Sequence, residues 1–177
     1  DMTRLYHRAG FRIHGMFIFG YPAPEGLPFQ MSAEDRARQF RRFIRKARLE
    51  TVQVMLPIPL PGTELTARLQ KANRVYPTDC VGLEYYDGNF PLFQPDPPMS
   101  PEDMQASVQR IMRGFYGPRH LLAVAIHILS FPEVVFWLHK FGDAWRRWSG
   151  SWWTTIYRAG GWLTLRKWVA AYTKDGF

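Results

Sequence analysis

A short alternating pattern at residues 51–56 predicts a β-strand with one buried face. Val52, Val54 and Leu56 occupy every second position, and β-branched residues favour strands. Three prolines lie within residues 57–61, and they end the strand because proline has no N–H to donate to a neighbouring strand. We therefore expect a buried strand that leads into a stiff, extended loop.

A second apolar run, at residues 13–20, predicts another buried strand. Residues 1–10 before it resemble the last turns of a helix, with Gly10 at the position that follows a helix end. A helix end that leads into a buried strand implies an earlier strand. We therefore expect the sequence to be a piece of a longer polypeptide; the alternative is a complete protein with a short N-terminal helix.

The region between the two strands predicts a helix over residues 33–49. Ser32 and Asp35 have the spacing of a capping box. The expected apolar stripe of this helix consists of Phe40, Phe43, Ile44 and Ala47. Its many arginines indicate a solvated face, with an acidic partner as the alternative. Strand, helix and strand at this spacing predict a right-handed crossover with two parallel strands, and hence an α/β fold.

The loop after the second strand is the most informative feature for function. In α/β barrels and open α/β sheets, ligands bind at the carboxyl ends of parallel strands. This loop is stiff and apolar and contains few ionisable groups, which suits holding a flat or apolar ligand better than acid–base chemistry. Thr63 is a suitable cap for a helix that begins at Glu64. Further along, Asp87-Gly88 predicts a turn, and residues 100–103 predict another capped helix start.

The composition changes near residue 118. All seven tryptophans lie beyond this point, and residues 119–177 carry eight basic and three acidic side chains. This division predicts a first domain over residues 1–118 and a helical, Trp/Arg-rich extension over residues 119–177. Tryptophan interleaved with arginine is typical of a lipid headgroup interface, so peripheral membrane contact is one interpretation. The alternative is an extension that packs on the first domain with its tryptophans buried.

The residue content restricts the chemistry. Cys80 is the single cysteine, which excludes an internal disulfide. A single cysteine also fits a location in the reducing cytoplasm. The Trp/Arg-rich extension adds a second possible location, the inner surface of the membrane. The five histidines form no pair at helical metal-site spacing, and neither a nucleophile elbow nor a phosphate-binding loop is present. The net charge of +8 permits nucleic acid, but no recognition motif accompanies it, so we expect no nucleic-acid partner.

An ordered set of short segments resembles one enzyme family. The set consists of residues 9–20, 51–56, 59–65, 86–88, 93–95 and 99–103. In order and spacing it resembles the C-terminal half of radical S-adenosylmethionine enzymes of the type with an N-terminal cobalamin-binding domain. The resemblance covers about residues 1–118, and the tail matches only as a variable helical extension.

The resemblance implies a partial (β/α) barrel with parallel strands, in which the two strands are late barrel strands. It also implies S-adenosylmethionine as a cofactor, a four-iron four-sulfur cluster and, for members that use it, cobalamin. Ile18 and Gly20 match the family's strand motif, and Leu56, Pro57 and Pro59 match the exit of the next strand. These five positions would contact S-adenosylmethionine.

By the same resemblance, Tyr86 and Asp87 would face the mouth of the barrel near the substrate. The family often carries an acid shortly after the strand glycine, whereas this chain has Ala23 there and Glu25 as the nearest acid. With Cys80 alone, the chain cannot hold the cluster, which needs several thiolates. We therefore expect the missing N-terminal half of the same polypeptide as the partner, no catalytic residue or metal ligand within this chain, and an isolated piece that is inactive and holds no cofactor by itself.

Overall fold

The structure, a computed structural model, describes residues 2–24, 31–118, 122, 125–126 and 143–174, with side chains of the last helix at residues 150 and 152–171. Within this part of the chain it is mixed α/β, with two parallel strands and five α-helices. The elements in order are α1 (Met2–Arg8), β1 (His14–Ile18), α2 (Ala33–Ala47), β2 (Thr51–Met55), α3 (Glu64–Lys71), a short 3-10 helix (Leu83–Tyr85), α4 (Pro101–Phe115) and α5 (Asp143–Lys174).

The chain groups into two compact units. The terminal unit consists of Asp1–Gly15, Arg48–Thr51 and Met112–Phe177, and the central unit consists of Met16–Ala47 and Val52–Ile111. The expected division into residues 1–118 and 119–177 stays a prediction. The partial barrel likewise stays a prediction, whereas the α/β class and the parallel pair β1–β2 are confirmed.

The helix ends and strands follow the local signals in the sequence. Gly10 has a φ of +85° after α1, as expected of a glycine that ends a helix. The Asp35 backbone N–H donates to Ser32 Oγ over 3.1 Å at the start of α2. Ser100 Oγ accepts from the Asp103 N–H over 3.1 Å, and the capping box is completed by the Ser100 N–H donating to Asp103 Oδ2.

The core of the central unit lies between β1–β2 and helices α2, α3 and α4. Phe19, Val52 and Val54 belong to the strand segments, and all three are buried. The Phe19 ring meets the Phe40 ring of α2 edge-to-face with 5.3 Å between centroids. Other buried members are Ala37, Ile44, Leu56, Leu65, Leu69, Leu92, Phe93, Met99, Met104, Val108 and Ile111.

One member of the expected apolar stripe of α2 is not buried. Phe43 is 56% exposed, although its ring contacts the Phe17 ring edge-to-face at 5.9 Å. The Phe40 ring contacts both Phe17 and Phe19, and Ile44 is buried, so Phe43 lies at the margin of the stripe. The apolar stripe thus includes one position that is more than half exposed, because the strands cover less of the helix than its apolar residues span.

In the terminal unit, Arg158 of α5 fastens the helix to the segment before β2. Its guanidinium donates to the carbonyl oxygens of Leu49 (3.0 Å) and Glu50 (3.2 Å) and lies 4.6 Å from the Phe115 ring centroid. Burial lowers the pKa of Arg158, and the nearby Glu50 carboxylate opposes this shift. Glu50 also accepts the backbone N–H of Ile13 over 2.8 Å.

Candidate functional site

A cleft of about 720 Å³ opens beside the loop that follows β2 in the central unit. Its size lies within the range of roughly 300–1,000 Å³ that small-molecule sites occupy. The proline loop, one face of α3 and the segment after α3 form its walls. The lining residues are Pro59, Pro61, Gly62, Thr66, Gln70, Asn73, Val75, Tyr76, Pro77, Thr78, Asp79 and Tyr86.

The proline loop is held rigid by the carbonyl oxygen of Leu60. This oxygen accepts the backbone N–H of Thr63 (3.2 Å), the Thr63 hydroxyl (2.8 Å) and the Thr66 hydroxyl (2.6 Å). The Thr63 hydroxyl oxygen in turn accepts the Thr66 N–H over 3.3 Å and so caps α3. Pro59 therefore lies on a wall whose shape is fixed before any ligand binds.

The α3 wall presents three polar side chains. Thr66 and Gln70 are four positions apart on α3 and share a face of the helix, and Asn73 follows two residues after the last helical residue, Lys71. Asn73 has a φ of +53°, and its backbone N–H donates to the Gln70 carbonyl over 3.0 Å. The Gln70 and Asn73 amides can donate to and accept from a polar ligand, whereas the Thr66 hydroxyl already donates to the Leu60 carbonyl.

Two tyrosines, Tyr76 and Tyr86, also line the cleft. Tyr76 donates its hydroxyl to Gln94 Oε1 over 3.1 Å, which fixes the orientation of the ring. Burial, and to a lesser extent the Glu102 carboxylate, raises the pKa of Tyr76, so its hydroxyl stays protonated at neutral pH. Tyr86, the second of these tyrosines, is half-buried. Flat aromatic rings of this kind bind planar or apolar groups.

The exit of β2 and the segment 86–88 are joined directly. The Leu56 backbone N–H donates to the Gly88 carbonyl over 2.7 Å. Leu56 and Pro57 are buried and do not line the cleft, so they support the loop from behind. Asp87 is exposed and accepts the Asn89 N–H over 2.9 Å, which stabilises the turn; it is not a lining residue.

Ile18 and Gly20 lie away from the cleft. Ile18 is 52% exposed at the end of β1. Gly20 has a φ of +83° and packs directly against Met104 of α4, with Met99 also close. Pro59 and Tyr86 are therefore the predicted site residues that the structure brings together, and Ile18 and Gly20 are not part of that group.

An acidic side chain does approach the loop after β1, but from a distant segment. Asp96 Oδ2 accepts the backbone N–H of Ala23 over 2.7 Å, and Asp96 Oδ1 forms an ion pair with Arg74 over 2.7 Å. The Ala23 carbonyl accepts from Arg68 over 3.2 Å. Glu25, the nearest acid in sequence, lies outside the described residues.

The described lining of the cleft carries few ionisable side chains. Asp79 is the one acidic side chain on its lining, and no lysine, arginine or histidine accompanies it. In the described part of the chain, no group of three or more His, Cys, Asp or Glu residues could hold a metal ion. Cys80, next to Asp79, is exposed. The available contacts are hydrogen bonds and aromatic or proline surfaces.

Sequence reasoning missed most of the polar wall. Thr66 and Gln70 are four residues apart in the helix that begins at Glu64, and polar residues at this spacing were the signal that could have revealed part of it. Tyr76 and Asp96 carry no such local signal, because their roles depend on Gln94 and Ala23, which are distant in sequence.

The helical extension is described for α5. Trp152 and Trp153 are both 46% exposed, whereas Trp162 and Trp168 are half-buried. The side chains of Trp145 and Trp148 lie outside the described residues, as does most of the segment 119–142. No helix among the described residues combines the length and apolar character needed to cross a membrane.

Comparisons of the chain with models of protein families, with curated proteins and with solved structures found no match. The resemblance to radical S-adenosylmethionine enzymes therefore stays a prediction.

Proposed function

We propose that the chain is part of a radical S-adenosylmethionine enzyme and that residues 1–118 form the late part of its (β/α) barrel. The parent protein would cleave S-adenosylmethionine reductively to a deoxyadenosyl radical, which drives methylation or rearrangement at an unactivated carbon. The cleft beside the proline loop would form one edge of the cavity that holds the cofactor and the substrate.

One observation carries the proposal. The exit of β2 leads into a rigid proline loop that walls a cleft of about 720 Å³, and the same exit is hydrogen-bonded to the 86–88 turn through Leu56 and Gly88. The exit of β2 and the 86–88 turn, which resemble the family as separate segments, are thus in direct contact. A stiff wall of prolines, amides and tyrosines, with Asp79 as its one acidic side chain, suits a nucleoside-type cofactor, whose flat base and polar sugar need preformed surfaces.

The face of β1 that is exposed within the described residues gives further support. Met16 and Ile18 of β1 point to the same face and are 62% and 52% exposed. On β2, Gln53 is exposed, and its side-chain amide donates to the Met55 sulfur over 3.3 Å. In a barrel, this face of each strand is turned towards the interior, where ligands and packed side chains cover it.

The residues of this chain do not fit the iron–sulfur cluster. A four-iron four-sulfur cluster needs several thiolates, and Cys80 is the only cysteine. The proposal therefore requires that the cluster ligands belong to polypeptide outside these 177 residues. The 177-residue chain alone should neither hold a cluster nor cleave S-adenosylmethionine, since it has no route for an electron to the sulfonium.

The coding frame upstream of Asp1 provides the first test. The proposal expects an open frame that encodes three closely spaced cysteines. A start codon or an in-frame stop immediately before the codon for Asp1 would overturn it, and so would a long open frame without such cysteines.

Activity of the polypeptide encoded by the longer frame provides the second test. After anaerobic reconstitution with iron and sulfide, dithionite should produce 5′-deoxyadenosine from S-adenosylmethionine. Tyr86→Ala should raise the KM for S-adenosylmethionine, because Tyr86 lines the cleft. Leu83→Ala is the matched control, since Leu83 is 74% exposed and does not line the cleft. Equal effects of the two variants would remove the cleft from the proposal.

A second candidate function, a peripheral membrane contact, is favoured by the outer face of α5. Trp152, Trp153, Ile156, Tyr157 and Leu163 are each more than 40% exposed on this helix. The helix also carries six basic residues and one acidic residue. Exposed tryptophan and tyrosine with basic residues on one helix are typical of contact with a bilayer that contains anionic lipids.

Vesicle co-sedimentation tests this second candidate. The 177-residue chain should bind vesicles that contain anionic lipid at low salt, and the double variant Trp152→Ser, Trp153→Ser should bind about tenfold more weakly. Leu83→Ser is the control for loss of an exposed apolar side chain elsewhere. Absence of binding at low salt, or an equal loss in both variants, would reject the membrane contact.

A further inference from the structure

A second cavity, of about 320 Å³, lies in the terminal unit. It is formed by the end of α4, the turn that follows it and one side of α5. The lining residues are Arg113, Tyr116, Gly117, Pro118, Trp162, Leu165, Arg166 and Val169. Neither the family resemblance nor the proposed function assigns a role to it.

The inner wall of this cavity is apolar and firmly packed. Tyr116 and Leu165 are 5% and 8% exposed, so their side chains are fixed by surrounding atoms. Gly161 lies directly against the Tyr116 ring, and a Cβ atom at that position would collide with it. The absence of a side chain at Gly161 thus lets α5 approach Tyr116 closely and shapes the wall.

The rim of the cavity carries positive charge. Arg113 and Arg166 are exposed members of the lining, and none of the lining residues is acidic. The guanidinium carbon of Arg166 lies 5.6 Å from the centroid of the Trp162 ring, a geometry that orients the planar group. Arginine side chains present paired N–H groups that match the oxygens of a carboxylate or a phosphate.

Arg158, on the same helix, has a structural role that Arg166 does not share. Arg158 is turned inwards and donates to the Leu49 and Glu50 carbonyl oxygens. Arg166 is instead exposed at the cavity rim, with its guanidinium over an aromatic ring. A cation held at the mouth of an apolar cavity is placed to meet an anionic group on a ligand whose remainder is apolar.

We propose that this cavity binds a single amphiphile with an anionic head. The head, a carboxylate or a phosphate, pairs with Arg113 and Arg166 at the rim, and the apolar body lies against Tyr116, Trp162 and Leu165. The ligand is a monomer that enters the cavity. This inference goes beyond the proposed function and does not depend on it.

Calorimetric titration of the whole 177-residue chain with three probes tests the chemistry. Octyl phosphate has both the anionic head and the apolar body, octanol has only the body, and inorganic phosphate has only the head. All are used below the concentration at which octyl phosphate forms micelles. Octyl phosphate should bind at a ratio of one per chain and at least about tenfold more tightly than either partial probe, because the two kinds of contact add.

Substitutions then locate the site. Arg113→Gln and Arg166→Gln should each weaken octyl phosphate binding by about tenfold, as expected for loss of a charge-assisted contact. Arg166→Lys should retain more affinity than Arg166→Gln because it keeps the positive charge. Val169→Trp should abolish binding by filling the cavity. Circular dichroism checks that each variant keeps its fold.

Two control variants distinguish this cavity from other surfaces. Arg42→Gln removes an exposed positive charge from α2 in the central unit and should leave the affinity unchanged. The pair Trp152→Ser, Trp153→Ser alters the outer face of α5 and should also leave it unchanged. Failure of octyl phosphate to bind would overturn the proposal. Octanol binding as tightly, or an equal loss of affinity in the Arg42→Gln control, would overturn it as well.

Discussion

At the scale of single residues, Gly20 is the position where backbone geometry and packing coincide. Its φ of +83° lies in the left-handed region that side chains other than glycine rarely adopt. Its Cα also faces the Met104 side chain, with Met99 behind it. The family resemblance assigned Gly20 to a cofactor site, but these two observations already account for a glycine here through the fold alone.

The substitution Gly20→Ala tests this account. It should lower the free energy of unfolding by about 2–4 kcal/mol, because the φ is unfavourable for alanine and the added methyl group overpacks against Met104. Urea denaturation followed by circular dichroism measures the change.

Gly160→Ala is the matched control. Gly160 lies on α5 with open space around it and an ordinary helical backbone, so alanine should raise stability by about 0.5–1 kcal/mol. If Gly20→Ala also proved neutral or stabilising, the packing explanation would be wrong.

At the scale of elements, α3 and the loop before it act as one rigid structure. The Leu60 carbonyl accepts hydrogen bonds from the Thr63 N–H and from the hydroxyls of Thr63 and Thr66. The Thr63 side chain also caps the helix through the Thr66 N–H. Because Pro59 and Thr66 both line the cleft, the stability of this cap and the shape of the candidate site depend on the same hydrogen bonds.

Loss of the cap should therefore be measurable as a loss of stability. Thr63→Ala should lower the free energy of unfolding by about 1 kcal/mol, the usual contribution of an N-cap. Thr63→Ser keeps the hydroxyl and should change it by much less. Thermal and urea denaturation of both variants compare the two effects, and equal losses would mean that the hydroxyl does not act as the cap.

The same scale shows how far local patterns predicted the elements. The starts of α2, α3 and α4 were predicted from Ser32, Thr63 and Ser100, since a cap depends on residues only a few positions apart. The ends were less accurate, and α2 ends at Ala47 rather than at the expected residue 49. Phe43 is exposed although it belongs to the apolar stripe of α2, because such a stripe does not reveal how much of it the sheet covers.

At the scale of the whole molecule, the two-stranded sheet is the feature that most clearly lacks neighbours among the described residues. In the described part of the chain, β1 pairs with β2 and with no further strand. The outer edge of β1 is therefore free within these residues, and Met16 and Ile18 of the same strand are exposed. A free edge with apolar side chains is a template for pairing with another chain, and the proposed barrel would supply the missing strands from the rest of the polypeptide.

The isolated 177-residue chain should consequently self-associate. Sedimentation velocity should show larger species as the concentration rises, and Met16→Lys should weaken this association by about tenfold, since a buried charge is costly. Leu83→Lys is the control, because Leu83 is exposed but not on the sheet. A chain that stays monomeric at high concentration would contradict the idea that this sheet lacks its neighbours.

The sequence by itself determined the α/β class, the parallel order of the two strands, the capped helix starts and the stiffness of the proline loop. Each of these depends on periodicity or on residues within a few positions of one another. The tertiary structure alone decided that Leu56 meets Gly88, that Asp96 reaches Ala23, and that Tyr76 and Tyr86 share a cleft with α3. The first two contacts join residues more than 30 positions apart, and the cleft brings together segments between residues 59 and 86, so all three result from the packing of the chain, which no local pattern records.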